Sequence, residues 1–286
     1  MTTGIVGLGL IGGSLAKAIK EKNPHKVLGF DISESSFLEA KLVGAVDERL
    51  DDSNLSSCDF VIIAVYPSAA VNYIKENAAR FKKGAIVVDC CGIKRGICAE
   101  IMPIASENGF YFIGGHPMAG TQAWGFRYSR GSLFNKASVL LTPPDGIDIN
   151  ILERAKSFFS RLGFAEVVFT TPGEHDRIIA YTSQLPHAVS SAYIKSPAAA
   201  EHKGFSAGSY KDMSRVAKLN EDMWCELFLE NSDYLAEEID SLIEKLSEYR
   251  NAVKSGDALA LRKLLEEGRI RKESIEKSRG TGASQK

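Results

Sequence analysis

The chain has 286 residues, 44% hydrophobic and 25% charged, enough to bury a sizeable core and to divide into two domains. Its 35 basic side chains stand against 36 acidic ones, a net charge of -1, so no global field favours nucleic acid or an anionic membrane, and a small-molecule partner is expected. The opening MTTGIVGLGL lacks a basic n-region, so no targeting leader is expected, and no apolar run reaches the ~18–20 residues that span a bilayer. Cys58, Cys90, Cys91, Cys98 and Cys225 show no metal-ligand spacing and imply reduced thiols in the cytoplasm.

In chain order, GIVGLG reads as a strand, GSLAKAIKEK as a helix, KVLGFD as a strand, ESSFLEAKLVG as a helix and DFVIIAV as a strand. A helix led by Pro67 and the strand GAIVVDC follow. Strand and helix in alternation predict a parallel sheet covered on both faces, an α/β doubly wound fold. Further runs at 110–114, 137–141 and 165–169 read as later strands, with TPPDG as a turn before a helix at about 150–161. The sheet is expected to end near 170, giving a Rossmann-like domain over 1–170 and an all-helical domain over 171–286.

Beyond TTPGEHD the pattern is helical only. Residues 174–195 carry helical spacing through Ile178, Tyr181 and Leu185. From Trp224 the residues Phe228, Leu235, Ile239, Leu242, Leu246 and Val253 recur as one continuous stripe, which predicts a long helix whose seam is either internal core or a subunit interface. The tail from Arg269 loses its apolar residues and is expected to fray.

The first strand-to-helix turn carries Gly7, Gly9 and Gly12 in GxGxxG spacing, with Leu8, Leu10 and Ile11 between them. Gly7 suits a tight turn, Gly9 lets a pyrophosphate approach, and Gly12 lets the helix pack on the strand. Asp31 closes the next strand, where a carboxylate binds an adenosine ribose and repels a 2'-phosphate. Ile32, Ser33 and Glu34 follow without an arginine, so NAD is favoured over NADP. The segment GGHPMAG sets His116 between glycines and Pro117, where it is expected to end a strand as a loop. An imidazole placed beside a nicotinamide accepts a hydroxyl proton; the alternative is a loop histidine that only satisfies backbone groups.

Four motifs, GIVGLGLIGGSLAKAI, GGHPMAGTQAWGF, EHDRIIAYTSQLPHAVSSA and SAGSYKDMSRVAKLNEDMWCELFLEN, occur in that order over nearly the whole chain. Together they resemble the prephenate dehydrogenase family, which includes arogenate and cyclohexadienyl dehydrogenases of tyrosine biosynthesis. The resemblance implies oxidative decarboxylation: hydride passes from the hydroxyl-bearing ring carbon to NAD(P), the ring carboxylate leaves as CO2, and the product is aromatic. It places His116 on the ring hydroxyl and Arg215 on a substrate carboxylate, which a guanidinium meets with two parallel hydrogen bonds. It sets His175, Asp176, Ser183, His187, Asp212 and Trp224 around the same cleft, with packing alone as the alternative for His187. It also implies a homodimer formed through the helical domain.

Two positions depart from the family pattern. DCCGIKRG places Gly92 where the family has a serine that contacts substrate, so a water or the Gly92 N–H is expected to serve instead; Lys94 keeps the lysine of that pattern, the alternative being a solvated first-turn charge. Gln122 stands where many relatives have glutamate. Prephenate and arogenate, which differ by a keto or amino group, both remain open as substrate. Two rivals are a β-hydroxyacid dehydrogenase, for which Lys195, Lys203, Lys211 and Lys218 lack the expected motif, and a non-catalytic NAD-responsive binding protein. No regulatory or mutase segment is expected after residue 286, so tyrosine feedback would act at the cleft.

Overall fold

A computed structural model describes residues 1–278 with their side chains and the backbone of 279–281, except for 23, 24 and 122, so Gln122 lies outside the described residues. The order is β1 (Thr2–Val6), α1 (Leu10–Lys22), β2 (Lys26–Phe30), α2 (Glu34–Leu42), β3 (Glu48–Arg49), β4 (Phe60–Ile63), α3 (Pro67–Asn77), β5 (Ile86–Asp89), α4 (Arg95–Asn108) and β6 (Tyr111–Pro117). Then come β7 (Ser138–Thr142), α5 (Ile149–Arg161), β8 (Glu166–Phe169), α6 (Pro172–Ile179), α7 (Leu185–Tyr193), α8 (Gly208–Ser214), α9 (Glu221–Leu229), α10 (Ser232–Ser255) and α11 (Ala258–Thr281). The chain divides into two compact units, 1–234 and the remainder from Leu235.

The eight strands form one sheet in the order β3-β2-β1-β4-β5-β6-β7-β8. Its central strands FVII and IVVD are buried throughout, as expected of parallel strands covered on both faces. Alternation sorts them: Phe60 and Ile62 join the cluster with Leu15, Phe158 and Phe159, while Val61 and Ile63 join the one with Ile74, Ile97 and Ile101. Helices α1 and α5 thus cover one face, and α3 and α4 the other. Side-chain caps fix helix starts at Ser33, Asp148, Thr171 and Asn220. The chain leaves β1 toward β2 and later returns to β4 on its other side, which opens a crevice beyond the carboxyl ends of β1 and β4.

Three sequence expectations change. The glycines before His116 do not end a strand: β6 runs through His116 and Pro117. Residues 111–113 pair parallel with β5, whereas 114–117 pair antiparallel with β7. Both glycines answer to packing, because a Cβ at Gly114 would overlap Thr142 and approach Cys98 and Lys94, and one at Gly115 would lie 2.5 Å from the Asp89 carbonyl oxygen. The stripe from Trp224 is also not one helix, for the chain breaks at Glu230–Asn231 between α9 and α10. Finally, the segment from Arg269 is helical to Thr281, supported by the Arg269–Glu273 and Lys272–Glu276 pairs.

Between α6 and α7, Ala180–Gln184 form a π turn. The wider turn takes up the defect of Pro186, so the helical path continues from His175 to Tyr193 without a break. In the second unit, the Tyr249 hydroxyl on α10 donates to the Leu264 carbonyl on α11 at 3.1 Å. Ile243, Leu246, Val253, Leu265, Ile270 and Ile275 are exposed there. No described helix is long and apolar enough to cross a membrane.

Candidate active site

The turn after β1 has the shape that its glycines imply. Gly7 has a φ of +86°, and its Cβ would overlap the Ala64 carbonyl after β4, so the two loops of the crevice meet there. A Cβ at Gly12 would overlap the Gly7 carbonyl, which ties the start of α1 to the turn. At Gly9 a Cβ would meet nothing within 4 Å, so no protein atom demands glycine and the space lies open beside the first-turn N–H groups of α1. Asp31 braces this turn, accepting from Leu8 N at 2.7 Å and from Ser33 N at 2.8 Å. A carboxylate oxygen keeps a further lone pair for a ribose hydroxyl. Beside it Ile32 is 95% exposed, an apolar surface without a protein partner. These residues fit a dinucleotide: anion-binding N–H groups, an uncrowded approach at Gly9, and a carboxylate at the ribose position.

A second constellation lies at the carboxyl ends of β5 and β6. The half-buried His116 sets Nδ1 2.9 Å from Nε2 of His175, and His175 Nδ1 lies 2.7 Å from Asp176 Oδ1. Asp176 also accepts from Lys94 N at 2.7 Å and Arg95 N at 2.8 Å, the N-terminal amides of α4, with Arg95 Nε at 3.4 Å. Thus α6 places the histidine, and the amino end of α4 holds its carboxylate.

Lys94 is fully buried and pairs with the equally buried Asp89. Asp89 accepts in addition from Cys91 N at 2.8 Å and Gly115 N at 3.0 Å, so β5 and β6 are locked together behind His116. Burial works against the charge on Lys94, but the adjacent Asp89 carboxylate outweighs it and the ammonium sits above its ordinary range. Burial, followed by His175 and the Lys94 charge, pushes the His116 imidazole well below its usual pKa. His175 is lowered as well, by burial first, against the raising hydrogen bond to Asp176.

A polar layer backs this chain. Asn231 Nδ2 donates to the Asp176 carbonyl at 2.9 Å and to Gln184 Oε1 at 2.7 Å, while Gln184 Nε2 donates to the Leu227 carbonyl at 2.7 Å. Arg95 donates to Asn231 Oδ1 at 2.9 Å and to Asp233 at 2.7 Å. The break at Glu230–Asn231 therefore turns Asn231 inward.

Elsewhere, His187 Nδ1 donates to the Ser183 carbonyl at 2.7 Å and stacks on Trp224 with centroids 4.0 Å apart. Burial lowers its pKa against the raising hydrogen bond to the Ser183 carbonyl, and the charge of Arg215 adds a smaller lowering. Arg215 follows α8 and is exposed, as is Asp212 within that helix. Gly92 faces α9, where a Cβ would lie 3.4 Å from Leu227 Cδ2.

The structure thus joins His116, His175, Asp176 and Lys94, and separately gathers Ser183, His187 and Trp224, with the charge of Arg215 felt at His187. Two of the expected substrate contacts read differently. His175 has both ring nitrogens engaged and is buried, and Lys94 has no accessible surface, so both act as internal supports and Lys94 is not a solvated charge. Sequence reasoning missed Asp89, Arg95, Gln184 and Asn231. Asp89 had a signal, an acid closing a wholly apolar strand five residues before a lysine; the others are polar residues in helical surroundings, with none.

A doubly wound sheet with a dinucleotide turn and a histidine–carboxylate chain beyond its strand ends defines the class as a nicotinamide-dependent dehydrogenase. Residues 15–168 match the nucleotide-binding domain of prephenate dehydrogenase, and residues 171–267 match its dimerization domain. The chain belongs to the prephenate dehydrogenase family. It is 30% identical to the prephenate dehydrogenase of Bacillus subtilis (strain 168) over 262 residues, covering 89% of this chain and 70% of that protein. The crystal structure of prephenate dehydrogenase from A. aeolicus in complex with hydroxyphenyl propionate and NAD+ superposes with a TM-score of 0.85 at 28% identity, covering 96% of this chain and 98% of that one. Synechocystis arogenate dehydrogenase superposes with a TM-score of 0.81 at 26% identity over 96% of this chain and 100% of that one.

Proposed function

We propose that the chain is an NAD-dependent prephenate dehydrogenase, converting prephenate to 4-hydroxyphenylpyruvate by oxidative decarboxylation in tyrosine biosynthesis. The observation that carries this reading is His116, held by the His175–Asp176 chain at the strand ends, in a sheet whose first strand leads into a turn shaped for a dinucleotide. NAD, when bound at Gly7, Leu8, Gly9, Leu10, Ile11, Gly12 and Asp31, supplies the hydride acceptor. The chain's own residues bind, orient and manage one proton. His116 in its neutral form accepts the hydrogen bond of the ring hydroxyl and takes its proton as the carbon is oxidised. Arg215 grips a carboxylate, while Ser183, His187 and Asp212 line the side-chain end, and the Gly92 N–H or a water replaces the family's serine hydroxyl. Loss of CO2 makes an aromatic ring, so orientation and charge placement suffice.

The depressed pKa of His116 keeps the ring neutral as pH falls through 6.5, so the acid limb of kcat/KM should lie below that value. A profile already half lost at pH 6.5 would contradict the assignment. Arg215→Ala should raise the KM for substrate about 10–100-fold and leave that for NAD unchanged, as loss of a charge-assisted pair implies. Selective loss of NAD affinity would instead remove the arginine from the substrate pocket.

Arogenate is the second reading, because the fold is shared with an arogenate dehydrogenase. Following reduced cofactor with NAD and each substrate in turn tests both, and no reduction with either would leave a binding protein. We further place the domain boundary near residue 170, giving a dinucleotide domain over 1–170 and a helical domain over 171–286. A homodimer through the latter is supported by the exposed apolar residues of α10 and α11 and by the matched dimerization domain. The five free cysteines support a cytoplasmic location.

A further inference from the structure

We propose that His175 and Asp176 are positioning residues that fix the tautomer of His116, holding its proton on Nδ1 so that Nε2 is the bare nitrogen offered to the substrate hydroxyl. The inference rests on the reading of His116 as proton acceptor and assigns the atom that acts.

The argument starts at the carboxylate. Two backbone N–H donors converge on Asp176, from Lys94 and Arg95 at the start of α4, and an ionised carboxylate offers only acceptors to the His175 ring. His175 Nδ1, 2.7 Å away and buried, must therefore carry a proton. In a neutral ring this leaves Nε2 as a lone pair, aimed at His116 Nδ1 at 2.9 Å. That contact is a hydrogen bond only if His116 Nδ1 is protonated. Among the described residues His116 Nε2 has no hydrogen-bonding partner, and this nitrogen is then the acceptor.

Every other neutral arrangement sets two lone pairs against each other. A proton on His116 Nε2 would leave bare nitrogens facing at 2.9 Å, and flipping His175 to relieve this would turn a bare nitrogen onto the Asp176 carboxylate. A doubly protonated His175 would satisfy both contacts, but burial and the Lys94 charge act against it. The fixed groups around the pair, Lys94 with Asp89 and Arg95 with Asp176, do not change this order. In turnover the substrate O–H bond breaks as an N–H bond forms at Nε2, and the same proton returns to the product oxygen. The Nδ1–H donates to His175 throughout, with the Asp176 charge one ring further on to stabilise the imidazolium.

The test uses 15N-histidine-labelled full-length protein with NAD, reading ring tautomers by NMR near neutral pH, with the His116 signals assigned by their loss in His116→Asn. The wild type should show His116 protonated on Nδ1. His175→Asn keeps an amide near Asp176 but offers His116 no acceptor; its His116 should shift toward the Nε2–H form and kcat should fall ~10²–10⁴-fold, with substrate KM within about threefold. His175→Gln can present a carbonyl oxygen near the lost Nε2, and should restore the Nδ1–H form and at least about tenfold of the lost kcat. An Nε2–H tautomer in the wild type overturns the proposal, as does an unchanged tautomer in His175→Asn. If either variant fails to fold, the wild-type spectrum decides alone. If the tautomer is as stated but His116→Asn turns over at the wild-type rate, the proposed role of His116 falls and the tautomer assignment stands.

Discussion

The dinucleotide turn and the histidine–carboxylate chain sit at the same edge of one sheet and are built on opposite principles. The turn is largely local: Gly7, Gly9, Gly12 and Asp31 lie in the first βαβ unit, where Gly12 packs on the Gly7 carbonyl and Asp31 holds Leu8 N, with Ala64 after β4 closing on Gly7. The chain from His116 to Asp176 is assembled from α4, β5, β6 and α6, with partners up to 82 residues apart. One is shaped by what is left out, the other by what is filled and paired. Substitutions in the turn should therefore act on cofactor affinity or local packing, and those in the chain on chemistry and global stability.

The largest expected effect belongs to the chain. His116→Asn should lower kcat by ~10²–10⁴-fold, the scale of a lost acid–base group, while NAD affinity measured by fluorescence titration stays within about twofold. Loss of both together would erase the distinction between the regions. Next, Asp89→Asn leaves Lys94 buried without its counter-charge. Breaking such a pair costs ~3–5 kcal/mol, read as a lower urea midpoint. A change below about 1 kcal/mol would mean that water reaches the ammonium and the network is not sealed.

The turn itself divides in two. Gly12→Ala must displace the Gly7 carbonyl, so its melting temperature should fall by several degrees, whereas Gly9→Ala should melt with the wild type and raise the NAD Kd about tenfold or more. Equal melting losses in the two variants would show that Gly9 has a packing role. The smallest effect is expected for Gly92→Ser. The new Cβ meets Leu227 at ordinary contact distance and Gly92 has no left-handed φ, so stability should hold within about 0.5 kcal/mol and kcat within about tenfold. A severe loss of kcat would mark the missing hydroxyl as an adaptation to a different substrate pose.

The same contrast explains what could be read before folding. Strands such as FVII and IVVD announce themselves because parallel central strands need apolar residues on both faces, and the dinucleotide turn because its spacing is local. The continuation of β6 through Gly-Gly-His-Pro could not be read, since glycine and proline ordinarily stop strands; here the partner changes from β5 to β7 at that point, and the glycines make room for Lys94 and the Asp89 backbone. The break at Glu230–Asn231 was hidden because apolar spacing persists across it, while Asn231 turns inward for reasons held by Asp176 and Gln184. Motifs placed His175 and Asp176 near the site, but only the fold shows that His175 has no nitrogen left for a ligand.

The π turn at Ala180–Gln184 bears on how this architecture tolerates insertions and deletions. A π turn holds one residue more than the regular helix it interrupts, so helical phase before it and after it is offset by that residue. Excising one residue of the turn would restore a regular helix in the same phase, whereas straightening the turn with every residue kept would rotate everything beyond it by ~100° relative to His175. His187 would leave Trp224, and Gln184 would leave Asn231, although no residue of either pair had been substituted. In this segment, the shape of the turn constrains the site as much as its composition does.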